Sequence, residues 1–112
     1  MDILNLTPHA ISVRQCDGKI LTVPPSGIVA RVSVSRTGKG FIEGVPVSDI
    51  SNGAVTGVPD SVDGRIYLVS SLVATSLPTR ADLYVPYDYM RDSSNNILYA
   101  ASLVRYVKGV KI

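Results

Sequence analysis

One stretch of the sequence, residues 66–86, constrains the fold more than any other. It opens with the apolar run 66–69, whose β-branched and aromatic side chains favour a strand. Ser70 or Ser71 then offers a side-chain oxygen that can cap a helix. Pro78 ends that helix, because proline has no amide hydrogen and its ring clashes with the preceding turn. A strand followed at once by a short helix is therefore predicted.

The end of the same stretch returns to a strand. Residues 82–86 alternate between apolar and polar side chains, which is the period of a strand. The whole sequence of strand, helix near residues 71–77 and strand occupies 21 residues. This is close to the shortest length that can connect two parallel strands. A minimal parallel crossover and a sharp corner between two sheets both fit.

The rest of the chain is rich in strand signals. Asp17-Gly18 is a strong hairpin turn, because both central positions of such a turn need positive φ. The predicted strands lie at residues 2–7, 11–14, 19–23, 28–35, 41–47, 54–58 and 97–107, with a further short strand at 108–112. Residues 97–107 are apolar on both faces, so a helix there stays an alternative. The intervening loops are predicted at residues 37–40, 48–64 and 87–96, the last as a polar connection.

These elements predict a mainly β (α+β) fold. We expect residues 1–112 to form a compact single domain of short antiparallel strands with one short helix near residues 71–77. The length supports this expectation, because domains of about 100–150 residues are the commonest.

Charge content points to a protein with subunit contacts. Charged residues make up 18% of the chain, below the usual ~25%. The resulting weakly polar surface predicts self-association as a homo-oligomer, either a dimer or a larger assembly. The net charge of +2 is too small to predict a nucleic-acid polymer as partner, which would need a basic stripe.

Cysteine usage and hydropathy indicate a cytoplasmic protein without cofactors. Cys16 is the single cysteine, so it cannot form an internal disulfide, and no Cys/His set is present for zinc. Asp2 and Asn5 interrupt the apolar N-terminal run, which argues against a signal peptide. No apolar run approaches the ~20 residues of a membrane span. We therefore expect no metal, no cofactor and no membrane partner.

The sequence favours binding over catalysis. His9 is the only histidine, and a catalytic base needs a nucleophile or a metal beside it. The nine acidic residues are scattered, and no catalytic motif with a known spacing occurs. His9 is a candidate for ligand contact, with a turn-fixing bond to backbone as the structural alternative. A small hydrolase using His9 and an aspartate is the third functional hypothesis.

Three arginines are candidates for holding an anion. The guanidinium groups of Arg31, Arg80 and Arg91 can each make forked contacts to phosphate or carboxylate. If they converge, they form a phosphate site. The alternative for Arg80 and Arg91 is pairing with nearby aspartates, namely Asp82, Asp88 and Asp92. Exposed pairs of this kind contribute under ~1 kcal/mol to stability.

Two other groups complete the candidate site. Ser70 and Ser71 lie where a strand meets a helix, and free amides at such a junction can bind phosphate. An ordinary helix cap is the alternative there. Tyr84, Tyr87 and Tyr89 supply rigid apolar area with polar tips, which suits a subunit interface, a ligand pocket or the core.

Several motifs together resemble those of a family of small proteins of phages, prophages and bacteria. The motifs are the N-terminal Asn5-Leu6-Thr7-Pro8-His9-Ala10-Ile11, then the segments 25–32, 66–74, 80–86 and 91–97. The resemblance covers most of the chain. Residues 93–96 depart from the family's usual glycine after Arg-Asp, which predicts a longer or differently shaped turn. The resemblance implies a phage or prophage origin and supplies no catalytic residues.

The leading functional hypothesis is a non-enzymatic binding protein that sequesters an anionic, nucleotide-type host signal. It combines the implied phage origin with the arginine, serine and tyrosine candidates. The alternative is a structural or accessory phage protein that acts through protein contacts of its tyrosine-rich face.

Overall fold

The computed structural model describes residues 2–107, which form eight strands and one helix. In chain order the elements are β1 (Asp2–Asn5), β2 (Ile11–Arg14), β3 (Ile20–Val23), β4 (Arg31–Ile42), β5 (Val45–Thr56), β6 (Arg65–Leu68), α1 (Ser71–Ser76), β7 (Leu83–Arg91) and β8 (Ile97–Val104). The prediction of a mainly β chain with one short helix is confirmed. No helix in this part of the chain is long and apolar enough to cross a membrane. The strand predicted at 108–112 lies outside the described residues.

Six strands form one mixed sheet in the order β1-β6-β7-β8-β2-β3. The β7–β8 and β2–β3 pairs are antiparallel, whereas β1–β6, β6–β7 and β2–β8 are parallel. The expectation of antiparallel strands therefore holds only in part. The chain reaches its parallel neighbours by crossing over the sheet, and local alternation along a strand does not encode which neighbour it finds.

The centre of the fold is the predicted crossover between β6 and β7. Tyr67 pairs with Leu83 in parallel register, which selects the crossover over the corner. Ser70 caps the helix: its Oγ accepts a hydrogen bond from the Val73 amide over 3.3 Å. The helix ends at Ser76, two residues before Pro78, as expected for a helix-terminating proline.

The main core lies between this helix and the sheet. It consists of the buried side chains Leu6, Tyr67, Val69, Val73, Ala74, Leu83 and Val85. Within β6 and β7 the core takes Tyr67, Leu83 and Val85, and the half-buried Tyr84 alternates with the two β7 residues. The core thus fixes the two strands that deliver the groove described below.

The Asn5-to-His9 turn connects β1 to β2 through a buried amide side chain. Asn5 is fully buried, and its Nδ2 donates to the carbonyl oxygens of His9 and Val23 over 2.7 and 3.1 Å. Its Oδ1 accepts from the amide and the hydroxyl of Thr7. A single side chain therefore ties the start of β2 and the end of β3 to the end of β1.

Strands β4 and β5 form a separate two-stranded ribbon, called the arm below (residues 31–56). The predicted loop at 37–40 and strand at 41–47 are wrong, because β4 runs through Gly38 and Gly40 to Ile42. The turn lies at Glu43 and Gly44, with φ of 51° and 77°. Two positive φ values make a tight hairpin turn that keeps the strands paired on both sides. β5 likewise continues to Thr56 through part of the predicted 48–64 loop.

The arm extends away from the body of the molecule. Its base is held by Val32 and Val55, which pack against the core, while most of its other residues are exposed. Twelve residues of strand reach about 40 Å. The radius of gyration is 17.1 Å, against about 13 Å for a globular chain of this length.

The last hairpin is longer than expected. β7 runs to Arg91 and takes in the first half of the predicted 87–96 connection, and 97–104 is a strand, not a helix. Asp92 closes the short turn by accepting hydrogen bonds from the amides of Ser94 and Asn96, each over 2.9 Å. These bonds lower the pKa of the Asp92 carboxyl. Asn95 takes the left-handed conformation expected of it, with φ of 66°.

Candidate functional site

A groove with a volume of 690 Å³ lies where the β1–β2 turn, the start of α1 and strands β7 and β8 meet. Its lining includes a histidine, two serines and three tyrosines, namely His9, Ser70, Ser71, Tyr87, Tyr89 and Tyr99. The order β6-β7-β8-β2 places the segments that carry them on neighbouring strands. The groove therefore gathers residues that are up to 90 positions apart in the sequence.

Tyrosine rings form much of the apolar lining. Tyr87 and Tyr89 are 49% and 47% exposed, so they are accessible from solvent. Tyr99 on β8 also lines the groove, but it pairs with Met90 across the antiparallel hairpin, so its side chain starts from the sheet face opposite to that of Tyr89. A partly exposed tyrosine offers a flat apolar face and a hydroxyl, the combination that suits a planar polar ligand.

The guanidinium group of Arg14 lies against the ring of Tyr99. The guanidinium carbon of Arg14 is 5.6 Å from the centre of the Tyr99 ring, a cation–π distance. Arg14 reaches Tyr99 because β2 and β8 are parallel neighbours, with Val13 paired to Ala100. Arg14 is not among the residues that line the groove; it lines a second depression together with residues 15–18 and Ala101.

His9 lines the groove with an exposed side chain. Its backbone is fixed, because its carbonyl oxygen accepts hydrogen bonds from Asn5 Nδ2 and Thr7 Oγ1. The turn is therefore tied down through the His9 backbone and not through the imidazole. The ion pairs within residues 2–107 do not include the imidazole, so no carboxylate orients it as a base.

The two serines reach the groove from the cap of α1. The Ser70 hydroxyl accepts a hydrogen bond from the Val73 amide, so Ser70 is the helix cap. An ordinary helix cap is the alternative that the sequence offers for this residue. The carbonyl of Ser71 accepts the Thr75 hydroxyl within the helix. Both residues also line the groove, where hydroxyl groups can bond to a ligand.

Arg80 forms a fork on Asp82. Its Nε and one terminal nitrogen donate to the two carboxylate oxygens, each over 2.9 Å, and the terminal nitrogen also donates to the Pro59 carbonyl. The sequence predicts an exposed ion pair, whereas the observed pair is partly buried. Only 24% of the Arg80 side chain and 14% of the Asp82 side chain are accessible. The hydrogen bonds from Arg80 lower the pKa of the Asp82 carboxyl, and the same contact raises the pKa of Arg80.

The remaining candidates lie outside the groove lining. Arg31 begins β4 and is exposed. Arg91 donates to the carbonyl of Asn95 over 3.0 Å at the far end of β7, about 20 Å along the strand from Val85. Tyr84 lies near the start of β7, half-buried. The structure thus places His9, Ser70 and Ser71 in the groove lining, which contains none of the three arginines.

Local sequence patterns missed several groove residues. Tyr99, Tyr106 and Leu98 line it, and all lie in the stretch predicted only as a strand or a helix. Pairing Tyr89 with residues after the Asp92 turn would have placed Tyr99 near it. Arg14 had no such signal, because its contact depends on a parallel pair between distant strands.

Comparison with known proteins gives no match to a protein family, a curated protein or a solved structure. Within residues 2–107, no three His, Cys, Asp or Glu side chains are grouped as a metal ion would require. What the site can do is therefore argued from its own geometry.

Proposed function

We propose that this protein binds a small nucleotide-type molecule in the groove without converting it. The observation that carries the proposal is the meeting of His9, Ser70 and Ser71 with four tyrosines around one 690 Å³ groove. Small-molecule sites commonly measure ~300–1,000 Å³ and combine apolar walls with a few polar groups. The groove has both properties.

The chemistry of the lining suits a base attached to a sugar. A planar heterocycle stacks on Tyr87 or Tyr89, and one stacked base contributes roughly 1–3 kcal/mol. The hydroxyl groups of Ser70 and Ser71 bond to the ribose. A phosphate oxygen can accept a hydrogen bond from the imidazole of His9, whose exposed side chain lines the groove. This assignment differs from the three-arginine phosphate site, because Arg31, Arg80 and Arg91 are not among the residues that line the groove.

The biological role follows from the family resemblance. A phage or prophage protein that binds a nucleotide without turning it over would sequester a host signal. It would do so in the cytoplasm of the host cell, where such signals are made. Binding without catalysis also agrees with a histidine that has no orienting carboxylate among the described ion pairs.

Calorimetric titration with a panel of linear and cyclic nucleotides tests the proposal. We expect one nucleotide class to bind the wild-type chain. Tyr89→Leu should weaken that binding about five- to a hundred-fold, the equivalent of one lost stacking contact. His9→Ala should weaken it for phosphate-bearing ligands, and Arg91→Ala, outside the groove lining, is the matched control with unchanged affinity. An absence of heat for every nucleotide, or full affinity in Tyr89→Leu, contradicts the proposal.

A second candidate function is that of an accessory protein acting through protein contacts. It is favoured by a band of exposed apolar side chains beside the groove, namely Tyr87, Tyr89, Met90, Ile97 and Leu98. Mass spectrometry of the denatured protein, together with size exclusion of the native protein, separates the two functions. A co-purified nucleotide favours sequestration, whereas a large ring-shaped assembly without a small molecule favours the accessory role.

A further inference from the structure

The chain has more surface than its mass requires. Its accessible surface is 7872 Å², whereas a folded monomer of 11.9 kDa exposes about 6,000 Å². The difference of about 1,900 Å² agrees with the large radius of gyration, and the arm is the element that projects. The arm, most of whose residues are exposed, contributes to this surplus surface.

Much of the arm's surface is apolar. The register places Phe41, Ile50 and Val34 on one face, where they are 73%, 68% and 53% exposed. Ile42 and Val45 pair on the opposite face close to the turn and are also exposed. Isolated exposed apolar residues are common, but a ribbon with exposed apolar side chains on both faces marks a contact surface.

The described chain provides little support for the arm beyond its base. β4 and β5 pair only with each other within residues 2–107, so both outer edges have unpaired backbone groups. A two-stranded ribbon without further packing is marginally stable in water. Open edges and apolar faces also favour association with another chain. A covering partner would remove both weaknesses.

We propose that the arm is a subunit interface and that a second copy of this chain covers it. Stable interfaces bury about 800 Å² per partner, and permanent dimers bury about 1,000–2,500 Å² per partner. The surplus of about 1,900 Å² falls within the second range. This assignment differs from the tyrosine-based interface expected from the sequence and is independent of ligand binding in the groove.

The charges on the arm also fit a copy of itself. Its ionisable side chains are of both signs, namely Arg31, Arg36, Lys39, Glu43 and Asp49. Lys39 and Asp49 already pair across the ribbon over 3.5 Å. A two-fold contact places the same surface on both partners, so mixed charges can be matched by rotation. A nucleic acid or a strongly acidic partner would require one dominant sign.

Light scattering after size exclusion tests the interface. We expect the wild-type chain to give at least twice 11.9 kDa, and Phe41→Ser/Ile50→Ser to give 11.9 kDa with an unchanged circular dichroism spectrum. Val62→Ser is the matched control, because Val62 is an exposed apolar residue outside the arm, and it should stay oligomeric.

Two outcomes overturn the proposal. One is a monomeric wild-type chain at hundreds of micromolar. That result would show that a second copy does not cover the arm. The other is an oligomer that persists in Phe41→Ser/Ile50→Ser but dissociates in Tyr89→Leu. That result would assign the interface to the exposed apolar residues around Tyr87 and Tyr89.

Discussion

The six-stranded sheet and the arm are built in opposite ways. The sheet uses strands of four to nine residues, packs a helix over its centre and fixes its turns with hydrogen bonds that the Asn5 side chain donates and the Ser70 and Asp92 side chains accept. The arm uses two strands of twelve residues, held mainly by their own backbone ladder and by packing at the base. The difference indicates that burial within one chain stabilises the sheet, whereas the arm depends on what covers it.

Among the variants that test this contrast, Asn5→Ala in the sheet is expected to change the free energy of unfolding most. The buried side chain makes four hydrogen bonds, and its loss leaves the Val23 carbonyl and the Thr7 amide without that partner and removes one of the two hydrogen bonds to the His9 carbonyl. Each unsatisfied buried group costs about 1–3 kcal/mol, so we expect a loss of about 3 kcal/mol or more. Urea unfolding measures it. Asn52→Ala, at an exposed position of the arm, is the control and should change stability by under ~0.5 kcal/mol.

The next effect concerns the Arg80–Asp82 fork in the body. Arg80→Ala should lower the free energy of unfolding by about 1.5–3 kcal/mol, because its partly buried hydrogen bonds involve charged groups. Arg91→Ala, with one exposed bond to a carbonyl, should cost under ~1 kcal/mol. Equal losses of unfolding free energy in the two variants would contradict the claim that burial makes the Arg80 contacts stronger than the Arg91 contact.

The same fork predicts a pH dependence with a defined sign. The pKa of Asp82 is lower in the folded chain than its ordinary value near 3.8. Its contribution is therefore present above about pH 4 and is lost as the pH falls through the folded-state pKa. The stability difference between wild type and Asp82→Asn should shrink below about pH 4 in urea titrations. A difference that grows with acid would contradict this sign.

The smallest effects compare two glycines of the arm region. Gly57 follows the arm with φ of +82°, and a Cβ atom there would overlap the Val29 carbonyl, so Gly57→Ala should cost about 1–3 kcal/mol. Gly38 lies inside β4 with open space around it. Gly38→Ala should be neutral or stabilising by up to ~1 kcal/mol. Thermal unfolding distinguishes them, and a larger loss in Gly38→Ala would show that the free face is covered within the chain.

The sequence predicted those elements whose limits are set by neighbouring residues. Ser70 and Pro78 bracket the helix, and Asp17-Gly18 makes the β2–β3 turn, because caps and turns act over a few residues. The arm was divided wrongly because Gly38 and Gly40 resemble a loop. What holds them in a strand is pairing with residues about ten positions later, which local patterns do not reveal.

The groove shows the same limit. His9, Ser70 and Ser71 were identified because each occupies a turn or a helix start that the sequence marks. The meeting of Arg14 with Tyr99 depends on β2 lying parallel to β8, which no local signal fixes. The presence of an arginine does not by itself predict a ligand site, since Arg80 forms an ion pair with Asp82 within the fold.

Amide hydrogen exchange of the wild-type chain at low and high protein concentration tests the central contrast most directly. We predict that amides of β6, β7 and β8 are protected equally at both concentrations, since burial within one chain holds them. Arm amides at residues 34–52 should exchange rapidly in dilute solution and become protected as the concentration rises. Arm protection that matches the sheet at every concentration, or that never develops, would contradict the account.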